Sequence, residues 1–479
     1  MSTINTNIPS LVAARILNNN NDRLGLSLER LSTGYRINTG KDDPAGLIAS
    51  EVMRSEQIAI LAAIDNSLAA DKIVAVAEGA LNEVNALLLE LEALVDKSTN
   101  SAALSDDEVR ANQLQMDSIL DSIDRIANNT SFKGKKMLNG TMGYVTQGVG
   151  TEIAGMNVTR ARLAEGQQRT VTIQVASAAE TGQLFYSSGA ATIANSVTIR
   201  VSGEFGADTV SVLSGATLQS LATAVNQTRE LTGVSATVTG AGASSQLVFS
   251  STAYGSDAFV TVEAINGTFD TTNPEGTTIG TDYGLDVTAT INGLAANTEG
   301  LEASIRTSTL SLDVILSESF GTLAGSDTTS FTITGGGANF SLSPTVGVAG
   351  MESIGIKDVS SASLGNGSVG FLSSLRSGAA NDLNSGNLAT AQRIVRQASK
   401  DVSTLRGRLG AFQKDTLQPN ISSLQITYEN TQAAESAIRD TDFAYQTSEL
   451  TRAQILVQAS TATLQIANAA PAAVLSLLG

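Results

Sequence analysis

A chain of 479 residues without cysteine, histidine or tryptophan lacks most side chains that bind zinc or copper, act as general bases or serve as thiol nucleophiles. The formal net charge of −17 gives an acidic surface that repels phosphate backbones and anionic lipids. Composition and charge therefore predict a protein that is not an enzyme, needs no metal or cofactor, and binds neither nucleic acid nor membrane.

The number and distribution of apolar residues indicate the shape of the molecule and bear on how it could be exported. Aromatic residues make up only 4% of the chain, which predicts an elongated molecule with many thin contacts. No run is apolar and long enough to insert into a membrane, and the first residues lack the order of a cleaved signal peptide. A cytosolic protein and a chain exported without such a signal are both compatible with this pattern.

The first predicted element is a short helix with leucines on one face. These leucines are Leu17, Leu24, Leu28 and Leu31. The polar stretch LSTGYRINTGKDDPAGLIAS follows, in which Asp43 can cap a helix whose first residue is Pro44. We interpret this stretch as a joint between a terminal helix and a long outer helix, with an ordinary surface loop as the alternative.

A long helix is predicted from Pro44 to near Ser98. Apolar residues recur every three or four positions from Ile60 to Val95, and only Ser67 breaks the pattern. A mean period of 3.5 is typical of a coiled-coil seam, which needs a partner helix. At 1.5 Å per residue this helix would be roughly 80 Å long. Its candidate rod-seam residues are Val74, Leu81, Val84, Leu88 and Leu91.

The middle of the chain follows a different period. A shorter helix begins at Ser105, which forms a capping box with Glu108. Beyond it, segments such as SVTIRVSG, LDVTATING and SFTITGGG alternate in the manner of half-buried strands. One helix, near Ala216 to Glu230, interrupts these strands. The glycines at 335–337 lack the helix, Lys and Ser/Thr of a phosphate-binding loop and predict a turn.

Helical stripes return at the far end of the chain. The stripe that can pair with the long helix contains Val395, Val402, Leu405 and Leu409. The last stripe contains Phe443, Leu450, Val457 and Leu464, and continues past Pro471 with Val474 and Leu478. Because isolated short helices are marginal in water, we predict that the first and last stripes form a polymerisation surface buried by other copies of the chain.

These elements predict an α+β fold with a discontinuous helical coiled-coil rod, built from both chain ends, and a β-rich inserted outer domain. Residues 1–42 and 440–479 would form a terminal helical domain. Residues 43–176 and 345–439 would form the helical rod with β-hairpins, and residues 177–344 a β-rich surface insert of one or two subdomains.

Several stretches resemble the bacterial flagellin family, in order and at the expected ends. LSTGYRINTGKDDPAGLIAS is similar to the family's amino-terminal signature, and AEGALNEVNALLLELEALV and IDRIANNTSFKGKKMLNG are similar to later segments. The stretch that begins ESAIRDTDFAYQ is similar to the carboxyl-terminal region. The resemblance covers about the first 140 and the last 105 residues, and residues 194–265 are similar to a repeat often found in flagellin inserts.

The resemblance implies a structural subunit that polymerises with copies of itself into the helical bacterial flagellar filament for motility. It also implies unfolded export through a type III export apparatus with an export chaperone, and a secreted, extracellular location. Assembly would occur beneath a filament cap protein, with hook-associated proteins as further partners. The terminal helices would form the inner core of the filament. A hook-filament junction protein and a filament-displayed adhesive surface module are the alternatives.

One motif departs from the family pattern. In flagellins detected by the vertebrate toll-like receptor for flagellin, the resemblance implies an Arg within a leucine-flanked motif of the long helix. Here the stretch LLLELEALVD places Glu90 at that position, while Leu94 still matches. Gln115 stands where an acidic residue is expected. This exchange of charge predicts weak or absent activation of that receptor.

Overall fold

Helices form both ends of the chain, as the periodic stripes predict. The computed structural model describes residues 6–100, 104–163, 166–240, 242–323, 325 and 327–475. Its helices are α1 (Ile8–Thr33), α2 (Pro44–Ser98), α3 (Asp106–Asn129), α4 (Leu218–Gln227), α5 (Arg229–Thr232), α6 (Glu318–Gly321), α7 (Leu388–Ala411), α8 (Gln418–Arg439) and α9 (Phe443–Leu475). A π-helical segment, Phe412–Leu417, lies between α7 and α8. No helix in these described ranges is long and apolar enough to cross a membrane.

Strands occupy the middle of the chain, and each pairing of the named strands is antiparallel. The first eleven are β1 (Ser131–Phe132), β2 (Lys135–Lys136), β3 (Tyr144–Gln147), β4 (Ile153–Ala161), β5 (Arg169–Ser177), β6 (Gln183–Tyr186), β7 (Val197–Gly203), β8 (Gly206–Val212), β9 (Val234–Thr239), β10 (Gln246–Ser251) and β11 (Phe259–Asn266). The others are β12 (Thr281–Tyr283), β13 (Thr288–Ile291), β14 (Leu294–Ala295), β15 (Asn297–Glu299), β16 (Glu302–Arg306), β17 (Leu310–Leu316), β18 (Thr328–Gly336), β19 (Ala338–Ser341), β20 (Met351–Ile354), β21 (Gly365–Asn366) and β22 (Gly370–Phe371).

The chain divides into two compact units, and each combines early and late parts of the sequence. Of the described residues, one unit takes 6–67, 342–345 and 419–475. The other takes those between 68 and 341 and between 346 and 418. This organisation confirms the predicted fold class, in which helices from both chain ends flank a β-rich middle.

In the first unit, α1 packs against α9, and we call this helix pair the terminal pair. The side chain of Asn7 caps α1 by accepting a hydrogen bond from the Ser10 amide at 3.1 Å. At the other end, Gly34 adopts the left-handed region at φ +77°, and its amide donates to the Arg30 carbonyl at 2.9 Å. Both ends of α1 are therefore defined by local capping.

The polar stretch that follows α1 is an ordered joint. The Arg36 amide donates to the Arg439 carbonyl at 2.6 Å, and the Thr441 amide donates to the Gly34 carbonyl at 2.9 Å. Ile37, which follows Arg36 in the sequence, is fully buried. The stretch is thus fixed to the segment between α8 and α9, which favours the joint over an ordinary surface loop.

Two aspartates complete the turn into α2. Asp42 accepts hydrogen bonds from the amides of Thr39 and Asn38 at 2.9 and 3.2 Å. The bond from the Thr39 amide is the largest influence on Asp42 and lowers its pKa below the usual value. Asp43 accepts from the Gly46 amide at 2.9 Å, so α2 begins at Pro44 with the predicted cap.

In the second unit, α3 and α7 pack with α2. Asn112 of α3 donates to Ser98 of α2 at 3.5 Å. Gln392 of α7 donates to Asp96 at 2.6 Å. The capping box at the start of α3 is confirmed, because the side chain of Ser105 accepts from the Glu108 amide and Glu108 reaches back to the Ser105 amide. Three helices from distant parts of the chain therefore pack together.

Two hydrophobic cores organise the strands of the second unit. The first β-domain consists of the sheets β14-β13-β5-β18-β3 and β15-β16-β17-β4, whose shared core includes Ile173, Leu312 and Phe331. The second β-domain, residues 182–284, consists of the sheets β12-β11-β7-β8 and β6-β10-β9 with α4. Its core includes Leu221 and Phe249. The predicted helix near Ala216 to Glu230 is thus found as α4.

The predicted insert boundary at residues 176 and 177 divides the first β-domain. Strand β5, which ends at Ser177, pairs with β13 and β18, and β4 pairs with β17. All three partners lie beyond that boundary. The structure instead favours an excisable unit between Glu180 and Leu285, whose backbones exchange hydrogen bonds of 2.9 and 3.0 Å. Alternating sequence alone did not reveal this pairing.

Candidate assembly surfaces

The seam of the terminal pair consists of small and polar side chains. Its buried positions recur every seven residues on each helix. They are Ala13, Asn20 and Ser27 on α1, and Gln446, Ala453 and Ser460 on α9. A seven-residue repeat is the spacing of a coiled coil, but such seams normally bury large aliphatic residues. The fully buried positions of the terminal pair therefore contribute little apolar surface.

Polar contacts across this seam set the register of the two helices. The Asn20 side-chain amide donates to the Ser460 hydroxyl at 3.2 Å and to the Leu456 carbonyl at 3.3 Å. Near the start of α1, Asn7 donates to the Ala467 carbonyl at 2.8 Å. These contacts make the pair antiparallel. A buried Asn at such a position specifies alignment at a cost in stability.

The predicted polymerisation residues divide into three groups. Half-buried residues lie seven apart and next to the polar seam: Leu17, Leu24, Leu31, Leu450, Val457 and Leu464. Leu28 and Phe443 are exposed. Val474 belongs to α9, but its side chain lies outside the described residues, as does Leu478 altogether. The stripe therefore lies partly along the contact between α1 and α9 of the same chain.

Other large apolar side chains of the first unit face outward, and the sequence analysis missed them. On α1 and α9 they are Ile8, Leu11, Val12, Ile16, Tyr445, Ile455, Leu456 and Ile466, and on α2 they are Ile48, Val52, Ile58 and Leu61. Ile466, for example, is 72% exposed. Large apolar side chains that are exposed together are typical of interaction surfaces. The four-residue spacing of residues such as Ile8, Val12 and Ile16 was the sequence signal that could have identified this outward face.

The rod-seam residues behave in the opposite way. All nine predicted positions are buried: Val74, Leu81, Val84, Leu88, Leu91, Val395, Val402, Leu405 and Leu409. Polar groups border this seam, since Glu92 accepts a hydrogen bond from Arg396 at 2.9 Å. The Gln413 side chain donates to the Asp71 carbonyl at 3.2 Å. The rod seam is therefore filled within one chain.

The receptor-motif positions lie on α2 and α3. Glu90 and Gln115 are exposed, and the Gln115 side-chain amide donates to the Glu90 carboxylate at 2.9 Å. Leu94 is buried, so this matched position packs inside the unit instead of facing a partner. The exposed surface at the motif is thus a Glu and Gln pair with no positive charge.

Helices from both chain ends that form one rod, together with a terminal pair that directs apolar side chains outward, are features of a self-associating structural protein. Three family models match the sequence. The bacterial flagellin N-terminal helical region matches residues 4–142, and the C-terminal helical region matches residues 393–478. The flagellin hook IN motif matches residues 196–253, within the predicted repeat.

Full-length relatives agree with these matches. Flagellin B of Vibrio cholerae serotype O1 is 30% identical over 481 residues and 99% of each chain. Polar flagellin A of Vibrio parahaemolyticus serotype O3:K6 is 28% identical over 484 residues, with the same coverage. The chain belongs to the bacterial flagellins and is a subunit of the flagellar filament. The predicted resemblance is confirmed, and the hook-filament junction alternative is not favoured.

Similar solved structures are more distant. FliC from Burkholderia pseudomallei is 14% identical, with 72% of this chain and 98% of that chain covered and a TM-score of 0.25. FlgL from Xanthomonas campestris is 15% identical, with 78% and 98% covered and a TM-score of 0.27. Both TM-scores are too low to support an inference about this chain.

Proposed function

We propose that copies of this filament subunit polymerise through the outward apolar faces of α1 and α9. The observation that carries the proposal is the reversed burial of the terminal pair. Polar Asn20 and Ser460 are buried between the helices, whereas Ile455 and Ile466 are exposed. Burying one such isoleucine is worth about 1.5 to 3 kcal/mol, so several contacts per subunit are enough to drive association. Contact between different patches of neighbouring copies produces an open helical polymer when the rotation between copies does not close a ring.

We further propose roles for three parts of the chain. The terminal pair would form the inner core, the helices of the rod the outer core, and the second β-domain the filament surface. By family resemblance, the chain would leave the cell unfolded through a type III export apparatus with an export chaperone. It would then assemble beneath the cap protein, with hook-associated proteins as further partners, and remain extracellular.

We also infer that the subunit has no enzymatic activity. The full sequence contains neither histidine nor cysteine, so the commonest general base and the thiol nucleophile are both missing. Its role is therefore mechanical, and its chemistry is that of repeated apolar contacts.

Regrowth of filaments from dissociated subunits tests the assembly surface. Purified protein is dissociated by heat, cooled with short filament seeds, and pelleted to measure the subunit concentration left in solution. A variant with Ile455→Ser and Ile466→Ser is expected to raise this critical concentration at least about tenfold, since 1.4 kcal/mol is a factor of ten. The matched control is Leu213→Ser, which removes an equally exposed apolar side chain from the second β-domain.

Circular dichroism of the soluble subunits shows whether each variant is folded. A folded double variant with the critical concentration of the parent chain would refute the assignment of these helix faces. An equal loss in the Leu213→Ser control would show that exposed apolar area in general, and not the terminal pair, governs assembly.

A further inference from the structure

A two-residue turn joins β1 and β2 and carries an unusual side chain. Phe132 pairs with Lys135, so Lys133 and Gly134 alone form the turn. Their φ angles are +49° and +82°, as a type I′ turn requires. Positive φ is unfavourable for a residue with a Cβ atom, and lysine lacks the short polar side chain that lets Asn adopt it.

The same chain contains a matched turn with the favoured sequence. Asn292 and Gly293 join β13 to β14, with φ angles of +52° and +78°. Among the described residues, Asn292 and Lys133 are the only non-glycine residues at positive φ. Asn-Gly is the preferred pair for this turn. A lysine kept in the unfavourable conformation therefore suggests a role outside folding.

The turn also concentrates positive charge. Lys133 and Lys135 are exposed and Lys136 is half-exposed. None of the three forms an ion pair with a carboxylate in the described part of the chain, and the Lys133 ammonium lies 5.7 Å from the centre of the Phe132 ring. We call these three residues the lysine tip. Three unpaired cations in a chain of net charge −17 fit an acidic partner.

We propose that the lysine tip docks against carboxylates of a neighbouring copy of this chain. The inference rests on the proposed polymerisation. The counter-surface that fits best is the first turn of α3, where Asp106, Asp107 and Glu108 are exposed, and where Asp107 also lies 3.5 Å from the Arg110 guanidinium. Because α3 has 24 residues, this turn lies roughly 36 Å from the helix end that leads into the lysine tip. If copies stack head to tail along α3, the lysine tip of one copy meets the acidic first turn of α3 in the next.

Lys133→Asn separates the folding role of this residue from its docking role. Asparagine suits the turn, so the thermal midpoint of the soluble subunit is expected to stay equal or to rise. The critical concentration for seeded regrowth is expected to rise roughly threefold, the effect of losing a surface ion pair. The control Lys72→Gln removes one exposed positive charge from α2 and is expected to leave regrowth unchanged.

A charge exchange tests the counter-surface. Lys133→Glu with Lys135→Glu is expected to impair regrowth, and adding Asp106→Lys with Asp107→Lys is expected to restore it. The melting of each soluble variant is measured, because the aspartates also favour the start of α3. If the folded charge-exchanged subunits do not recover regrowth, the acidic first turn of α3 is not the partner of the lysine tip.

The outcomes distinguish this inference from the proposed polymerisation. If the parent chain regrows filaments but Lys133→Asn matches it, or if Lys72→Gln has the same effect, the lysine tip has no docking role. If the parent chain forms no filaments, the proposed polymerisation fails first. A raised critical concentration in Lys133→Asn, with an unchanged control and rescue by charge exchange, supports docking.

Discussion

The rod and the terminal pair share a helical period but bury opposite kinds of side chain. In the rod, seam residues such as Leu81 and Leu91 are fully buried. In the terminal pair, Asn20 and Ser460 occupy the seam while Ile466 is exposed. A seam of large aliphatic residues stabilises one chain, whereas a polar seam gives alignment with little stability. We infer that the first arrangement serves folding and the second leaves apolar surface for association.

Excision of a β-domain is expected to have the largest effect, and its result depends on where the chain is cut. Replacing residues 182–284 with a short linker keeps β4 paired with β17, and β5 paired with β13 and β18. This excision should leave the helices and the seeded regrowth intact. Glu180 and Leu285 are hydrogen-bonded neighbours, so a short linker can join them. Replacing residues 177–344 removes β13, β17 and β18 and should expose the core residues that β4 and β5 retain.

Circular dichroism, limited proteolysis and seeded regrowth compare the two excisions. If the shorter excision abolished regrowth while its helical content stayed normal, the second β-domain would contribute essential contacts between subunits. Association between subunits would then no longer be a role of the terminal pair alone.

Two adjacent leucines test the folding role of the rod seam. Leu88 is 1% exposed and Leu89 is 55% exposed on the same helix. Leu88→Ala should lower the free energy of unfolding by about 2 to 5 kcal/mol, because it leaves a cavity in a packed seam. Leu89→Ala should change it by less than about 0.5 kcal/mol. Denaturant titration of soluble subunits measures both, and equal losses would contradict a seam filled within the chain.

The sequence predicts the rod well because its signal is local. From Ile60 to Val95 apolar residues repeat with Ser67 as the one polar member of the stripe, and each of these positions is buried. Pro44 and Ser105 carry capping signals that depend only on their near neighbours. Helix bounds and seam faces in this region follow from short-range chemistry.

Features that depend on distant partners were not predictable in the same way. Strand β5 alternates like an ordinary edge strand, and nothing within it indicates that β18, far along the chain, pairs with it. The seam of the terminal pair also lacks a hydropathy signal, because Asn20 and Ser27 resemble exposed polar residues until α9 is placed against them. The leucine stripes therefore mark neighbours of the seam and not the outward isoleucines.

Asn20→Leu tests whether the polar seam exchanges stability for alignment. A leucine here buries more apolar area, and Ser460 keeps hydrogen bonds to the carbonyls of Leu456 and Val457 on its own helix. The terminal pair should gain about 1 kcal/mol, seen as higher helical content of soluble subunits, while regrown filaments become less regular. Asn19→Leu, an exposed neighbour, is the control. Lower helical content in Asn20→Leu would contradict this account.

The smallest effect on folding is expected at Glu90, which belongs to neither seam. Its carboxylate is exposed and accepts a hydrogen bond from Gln115 at 2.9 Å, so Glu90→Arg should change the free energy of unfolding by less than about 0.5 kcal/mol. The parent subunit should activate the vertebrate toll-like receptor for flagellin weakly, because an anion stands where flagellins detected by that receptor are expected to carry a cation. Glu90→Arg should strengthen the response of reporter cells.

Gln115→Glu alongside Glu90→Arg sharpens this prediction, because the double variant replaces the Glu and Gln pair with an ion pair of the expected sense. A response larger than that of Glu90→Arg alone would show that both exposed positions contribute to recognition. Strong activation by the parent subunit would contradict the prediction outright. Leu94 is unsuitable for the same test, since its burial means that Leu94→Ala would disturb packing before it altered any receptor contact. Exposed motif positions on the rod can therefore be changed for recognition alone, whereas its buried positions cannot.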